Sequence, residues 1–110
     1  MNVTTITGDA YAVVRTEGRL TATSVPAVRA AISELIDSGH AFIVVDLSAT
    51  PFVDSSGLGV LIGGLKSARQ ASGDLRIAGA SEGVRSVLAL TNLDRILRSY
   101  PTVQEAFDGR

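Results

Sequence analysis

One short segment constrains the fold more than any other. Residues 41–47 read Ala-Phe-Ile-Val-Val-Asp-Leu and are apolar or β-branched at nearly every position. A strand that is covered on both faces has this composition, because neither face meets water. Strands of this kind occur mainly in parallel sheets with helices packed against them. The segment therefore predicts an α/β fold in which it forms an interior strand.

Strand and helix patterns alternate along the rest of the chain. Apolar side chains recur at spacings of three and four in two long segments, which predicts amphipathic helices. Two β-like runs near the start flank a turn that contains Gly8, which predicts a hairpin. We expect an α/β fold with a mixed, mainly parallel sheet of about five strands, four helices and an N-terminal β-hairpin, all in a single domain over residues 1–110. The predicted strands are 3–7, 11–16, 41–47, 75–78 and 95–99, and the predicted helices are 24–38, 55–72, 81–90 and a short one after Thr102.

Several helix ends are marked by residues suited to them. Thr23 or Ser24 can cap the first helix, and Gly39 fits the position just past its end. Asn92 is placed where a helix end needs a left-handed residue. Thr102 begins a Thr-Val-Gln-Glu capping box.

Composition excludes several classes of function. The chain has 110 residues, with 10 Lys and Arg against 11 Asp and Glu, so it lacks the basic excess that direct nucleic-acid binding needs. No apolar run approaches the roughly 18 residues of a membrane span, and the start resembles no secretion signal. With no cysteine and one histidine, a transition-metal site is not expected. We expect a cytoplasmic protein with no membrane association.

The segment 54–59, Asp-Ser-Ser-Gly-Leu-Gly, follows the interior strand and opens the second predicted helix. Ligand and partner sites of α/β sheets favour this edge. A phosphate on Ser55 would meet free backbone N–H groups and the positive end of the helix dipole. The alternative is purely structural, with Asp54 and the two serines acting only as helix caps.

Other interpretations of this region fail on spacing. The glycines match neither a P-loop nor a dinucleotide fingerprint, and close packing of a strand or a partner explains Gly59 and Gly63 better. The serine does not lie in Gly-x-Ser-x-Gly. His40 precedes the interior strand whereas Ser55 follows it, so about 20 Å should separate them at 3.3 Å per residue. We expect His40 to be a loop residue and Asp46 a satisfied strand residue. Surface positions are expected for Arg69, Arg76 and Arg85.

Two stretches carry a family resemblance. Residues 44–48 (Val-Val-Asp-Leu-Ser) and 52–61 (Phe-Val-Asp-Ser-Ser-Gly-Leu-Gly-Val-Leu) resemble the signature of bacterial anti-sigma factor antagonists of the STAS domain family. The resemblance extends over nearly the whole chain, including residues 90–97. It implies a STAS-like fold and a binding function in the regulation of transcription.

The resemblance also implies a switch. In the family, the unphosphorylated antagonist binds an anti-sigma factor that is also a serine kinase, and thereby frees a sigma factor. The kinase then phosphorylates the first serine of the motif, here Ser55, and a serine phosphatase reverses the modification. By this resemblance the chain is no enzyme and needs no cofactor or metal. The implied partner-binding residues are Thr21, Asp54, Ser55, Ser56, Gly57 and Gly59.

The chain departs from the family pattern before the first helix. Members often carry Gly-Glu-Leu-Asp there, whereas this chain has Arg19 and Thr21 in place of the two acidic residues. Asn92 replaces a glycine that members have near the end of the third helix. The same backbone can accommodate Asn92, whereas Arg19 and Thr21 leave room for a second function, a constitutive STAS scaffold or a subunit of a lipid transporter or stress-sensing assembly. The oligomeric state stays open.

Overall fold

The structure, a computed structural model, describes residues 1–108 and contains one five-stranded sheet with helices on both faces. Its strands are β1 (Asn2–Thr7), β2 (Ala12–Glu17), β3 (Phe42–Ala49), β4 (Asp74–Ala78) and β5 (Ser99–Tyr100). Its helices are α1 (Val25–Asp37), α2 (Ser55–Gln70), α3 (Glu82–Leu90) and α4 (Val103–Ala106), with a 3₁₀ turn at Leu93–Arg95.

The strands lie in the order β1-β2-β3-β4-β5. β1 pairs with β2 antiparallel as a hairpin, and the other three pairings are parallel. The predicted fold class, a mixed and mainly parallel sheet with an N-terminal hairpin, is confirmed. Because β2, β3 and β4 are parallel, their carboxyl ends lie at the same edge of the sheet.

Both faces of β3 are covered, as its composition predicts. Ile43 and Val45 point into the main core, which α1, α2 and α3 complete with Val, Leu, Ile and Ala side chains. Val44 points to the other face and contacts a smaller cluster with Ala106 and Phe107. The centre of the sheet is therefore shielded from water on both sides.

The residues predicted at helix ends mostly take those positions. Gly39 and Asn92 have left-handed φ angles of 87° and 59°. The Thr102 side chain accepts a hydrogen bond from the Glu105 N–H at 3.3 Å. Ser24 is an exception: it occupies the N-cap position of α1 but its side chain makes no capping hydrogen bond, because its hydroxyl bonds to the preceding loop.

Arg76 is not on the surface, and that prediction is wrong. It is 7% exposed, and its guanidinium lies 4.2 Å from the centroid of the Phe107 ring. Nη1 donates to the Ala106 carbonyl at 2.7 Å and Nε donates to Asp74 at 3.1 Å. The cause is α4, which covers the second face of β4 and encloses the side chain. Arg69 and Arg85 are exposed, as predicted.

The last strand is also shorter and later than predicted. Residues 95–99 were expected as a strand, but only Ser99 and Tyr100 pair with β4. Leu97 is fully buried, and its N–H donates to the Leu93 carbonyl at 2.8 Å. The apolar pattern therefore reflects a compact turn that buries one leucine, not an extended strand.

Candidate partner-binding site at the start of α2

The candidate site is built from the two loops that follow β2 and β3. Backbone hydrogen bonds join these loops: Leu20 N–H donates to the Phe52 carbonyl at 2.9 Å, and Asp54 N–H donates to the Leu20 carbonyl at 3.2 Å. Beneath them the buried hydroxyls of Thr16 and Thr50 are hydrogen-bonded to each other. The loops are thus held in one fixed arrangement at the carboxyl edge of the sheet.

Alternation of side chains decides which of these residues reach the surface. Leu20 and Val53 form a parallel bridge and are 0% and 4% exposed. Successive side chains of extended backbone point to opposite sides. The residues before and after Leu20 therefore point outward, and so do the residues before and after Val53. This places Arg19 and Thr21 on the same outer surface as Phe52 and Asp54, beside the first turn of α2.

Ser24 fixes the first of these loops. Its hydroxyl donates to the Arg19 carbonyl at 2.8 Å and accepts from the Thr21 N–H at 3.3 Å. The hydroxyls of Thr21 and Thr23 lie 3.2 Å apart. The segment that carries Arg19 and Thr21 is therefore held by side-chain hydrogen bonds as well as by the bridge to the second loop.

Asp54 caps α2 and the serines do not. Oδ1 of Asp54 accepts a hydrogen bond from the Gly57 N–H at 2.9 Å, and the Asp54 carbonyl accepts from the Leu58 N–H. Ser55 and Ser56 are exposed, and within residues 1–108 their hydroxyls have no hydrogen-bond partner. The structural alternative holds for Asp54 but leaves both serine hydroxyls without a role in the fold.

The glycines of α2 divide into two kinds. A Cβ on Gly57 would lie 2.5 Å from the Leu20 carbonyl oxygen, so the close approach of the first loop requires glycine there. A Cβ on Gly64 would crowd Ile32 and Leu75. At Gly59 and Gly63 a Cβ would meet nothing within 4 Å. The prediction that a strand packs against these two is wrong for the part of the chain that the structure describes.

The remaining polar residues do not assemble into a reactive site. Asp46 is satisfied, as expected: Oδ1 accepts from the Ser48 N–H at 3.0 Å, and Oδ2 lies 3.9 Å from Arg15. His40 lies in the loop before β3, whereas Ser55 follows that strand. Among the described residues no group of three or more His, Asp or Glu side chains could hold a metal.

No helix between residues 1 and 108 is long and apolar enough to cross a membrane. The described part of the chain is thus a small α/β module whose exposed serine stands on a capped helix at the carboxyl edge of a parallel sheet. The model of the STAS domain family matches residues 1–106, and the chain belongs to that family.

Relatives of this chain are anti-sigma factor antagonists. A Thermotoga maritima protein assigned to that class is 39% identical over 75 residues, which are 68% of this chain and 66% of the relative, just under two thirds of its length. The anti-sigma-B factor antagonist of Staphylococcus aureus is 29% identical over 97 residues, 88% of this chain and 90% of the relative. These names denote regulators, and none denotes an enzyme.

The structural comparison agrees with the sequences. A crystal structure of a Thermotoga maritima protein of the same assignment superposes with a TM-score of 0.88 at 29% identity, and covers 96% of this chain and 91% of that one. The Bacillus cell fate determinant SpoIIAA in its phosphorylated form gives a TM-score of 0.75 at 25% identity, with 98% of each chain covered. The predicted STAS-like fold is confirmed.

Proposed function

We propose that this chain is an anti-sigma factor antagonist that a phosphate on Ser55 switches off. In its unphosphorylated form it binds an anti-sigma factor that is also a serine kinase, and so frees a sigma factor for transcription. Phosphorylation of Ser55 ends the binding and a serine phosphatase restores it. One observation carries the proposal: the Ser55 hydroxyl is exposed at the start of α2, and the cap that the helix needs is supplied by Asp54 instead.

The first turn of α2 suits a phosphate. The first N–H groups of a helix have no acceptor within the helix, and Asp54 takes only the one at Gly57. The N–H groups of Ser55 and Ser56 therefore remain available near the positive end of the helix dipole. A phosphate adds about 1.5 to 2 negative charges, which this position tolerates. Its main effect falls on a docked partner, by repulsion and desolvation.

The proposed contact surface extends from Thr21 to Gly59. Thr21, Asp54, Ser55 and Ser56 supply polar groups that are at least partly exposed. Gly57 is buried and contributes indirectly, because it lets the first loop lie close to the start of α2. Gly59 is exposed with open space around it, which lets a partner approach the helix backbone closely. All these residues lie at one edge of the sheet.

The chemistry of phosphoryl transfer belongs to the partner in this proposal. ATP binds the kinase, and the chain supplies only the accepting hydroxyl, with no cofactor or metal of its own. The chain acts in the cytoplasm, without direct contact with nucleic acid or a membrane. The SpoIIAA structure in a phosphorylated form supports the switch, since it is a similar chain that carries such a modification.

The test uses a purified anti-sigma factor kinase of the host with labelled ATP. We expect label at Ser55 in the wild type, no label in Ser55→Ala, and full label in the matched control Ser56→Ala. Ser55→Ala should still bind the kinase, whereas Ser55→Asp should bind more weakly. Label found only at other residues, or tight binding by Ser55→Asp, would refute the switch.

The second candidate is a constitutive scaffold, as a subunit of a lipid transporter or a stress-sensing assembly. Arg19 and Thr21 leave room for it, because the family often has acidic residues at those positions. An affinity capture from the host that returned transporter subunits and no anti-sigma factor would select this function.

A further inference from the structure

Arg19 and Phe52 form an exposed pair beside the proposed switch. The Arg19 guanidinium carbon lies 4.7 Å from the centroid of the Phe52 ring. Phe52 is 43% exposed, so a partner can contact its ring. Aromatic and arginine side chains are enriched at the centres of protein interfaces. The pair therefore has the chemistry of a binding surface.

The backbone under this pair is fixed. The Arg19 carbonyl accepts from Ser24 Oγ, and the Phe52 carbonyl accepts from the Leu20 N–H. A surface that is already ordered loses little conformational entropy when a partner binds. The backbone that carries Arg19 and Phe52 is thus preorganised on the same outer surface as the start of α2.

A shallow apolar groove continues from the ring. It has a volume of about 120 Å³ and lies between the second loop and α3, where Pro51, Phe52, Val84 and Val87 line it. A groove of this size accepts one or two apolar side chains, not a whole helix. The surface thus combines a cation, an aromatic ring and a small apolar recess.

The charge of the pair indicates what it binds. Within residues 1–108 no carboxylate lies within salt-bridge distance of Arg19, so its guanidinium has no ion-pair partner there. Asp54 faces the same side and keeps its negative charge, since Oδ1 only accepts a hydrogen bond from the Gly57 N–H, but it forms no ion pair with Arg19. An arginine that is stacked on a ring presents the edge of its guanidinium, which binds a carboxylate with two parallel hydrogen bonds.

We propose that Arg19 and Phe52 dock an acidic segment of the anti-sigma factor, with a carboxylate on Arg19 and a neighbouring apolar side chain in the groove. This inference rests on the proposed function and names the partner's chemistry. It also explains why phosphorylation would weaken binding. A phosphate on Ser55 adds negative charge to the surface that receives the acidic segment, so it repels the partner and competes for the charge of Arg19.

The experiment measures the affinity of the purified anti-sigma factor kinase for variants of this chain. Arg19→Glu should lower the affinity by at least about tenfold, and Arg19→Lys by less, because lysine keeps the charge but loses the bidentate geometry. Lys66→Glu is the control: it makes the same charge change about three helical turns along α2. It should leave the affinity unchanged.

Phe52→Ala should weaken binding. The control Ile6→Ala should not, although it also shortens an exposed apolar side chain, because Ile6 lies on β1, away from the proposed surface. Changing the acidic residues of the partner's contact surface to lysine should restore binding to Arg19→Glu and abolish it for the wild type. Wild-type affinity should fall as salt is added.

The two proposals fail in different ways. If no anti-sigma factor binds the wild type, the proposed function is wrong. If Ser55→Asp loses binding while Arg19→Glu and Phe52→Ala bind like the wild type, the function stands and the acidic docking is refuted. Equal losses from Arg19→Glu and Lys66→Glu would also refute it, since the effect would then come from net charge alone.

Discussion

Gly59→Ala should make the free protein more stable. Glycine inside a helix costs about 1 kcal/mol relative to alanine, because it loses more backbone entropy on folding. At Gly59 the added Cβ meets nothing within 4 Å, so no packing penalty opposes the gain. We expect the free energy of unfolding to rise by about 1 kcal/mol, or roughly 4 °C in Tm for a domain of this size.

Urea and thermal unfolding followed by circular dichroism measure this change. The matched control is Gly57→Ala in the same helix, where the Cβ would lie 2.5 Å from the Leu20 carbonyl oxygen. Backbone cannot yield as a side chain can, so that variant should lose about 1 to 3 kcal/mol. Loss of stability in Gly59→Ala, or equal effects of the two variants, would refute the reasoning.

If Gly59 contacts a partner, the stabilised variant should also bind the anti-sigma factor more weakly. The stability that glycine costs the free protein at this position would then be explained by the close approach of the partner to the helix backbone. If the Gly59→Ala variant is more stable and binds as tightly as the wild type, Gly59 is not part of the contact surface. The prediction about stability would still hold.

Three further substitutions, each measured by urea unfolding, test the hydrogen bonds that hold the candidate site and the burial of Arg76 beside the smaller cluster. Asp54→Ala removes the cap of α2 and should cost about 1 kcal/mol, whereas Asp54→Asn should keep most of it; no loss in the alanine variant would contradict the assigned cap. Arg76→Ala should cost at least about 2 kcal/mol, because it opens a cavity and leaves the Ala106 carbonyl without its donor. The control Arg69→Ala, on an exposed side chain, should change stability by less than about 0.5 kcal/mol, and equal losses would show that the burial of Arg76 is unimportant. Thr50→Val should cost about 1 to 3 kcal/mol by leaving the Thr16 hydroxyl buried and unpaired. The double variant with Thr16→Val should recover part of that loss, and strict additivity would exclude coupling between the hydroxyls.

The parts of the fold that depend on local pattern could be predicted from sequence. The apolar composition of β3 predicts that both of its faces are buried, and apolar spacings of three and four predict which face of each helix is buried. The cap at Asp54 and the left-handed turn at Asn92 are local too. Each of these is decided by a few neighbouring residues, so the pattern was sufficient.

The errors concern contacts between distant segments. Arg76 is enclosed because α4, which begins 27 residues later in the sequence, folds onto the second face of the sheet. No residue near Arg76 in the sequence indicates that its side chain is buried. The glycines show the same limit: all four in α2 look alike, but Gly57 faces Leu20 of another loop and Gly59 faces open space.

Arg19 and Phe52 were missed as a site for a related reason. They are 33 residues apart, and only the bridge between Leu20 and Val53 brings them together. The departure at Arg19 was visible in the sequence, but its ring partner was not.

At residues 54–57 the groups that the fold needs differ from the groups that the proposed switch needs. Asp54 supplies the cap and Gly57 admits the neighbouring loop, so both are needed for the fold. Ser55 and Ser56 lie between them with hydroxyls that the fold does not use. A phosphate on Ser55 would leave the Asp54 hydrogen bond in place and would sit where a helix tolerates negative charge. On the proposed function, modification therefore changes the surface that a partner meets while the folded structure that presents it stays intact.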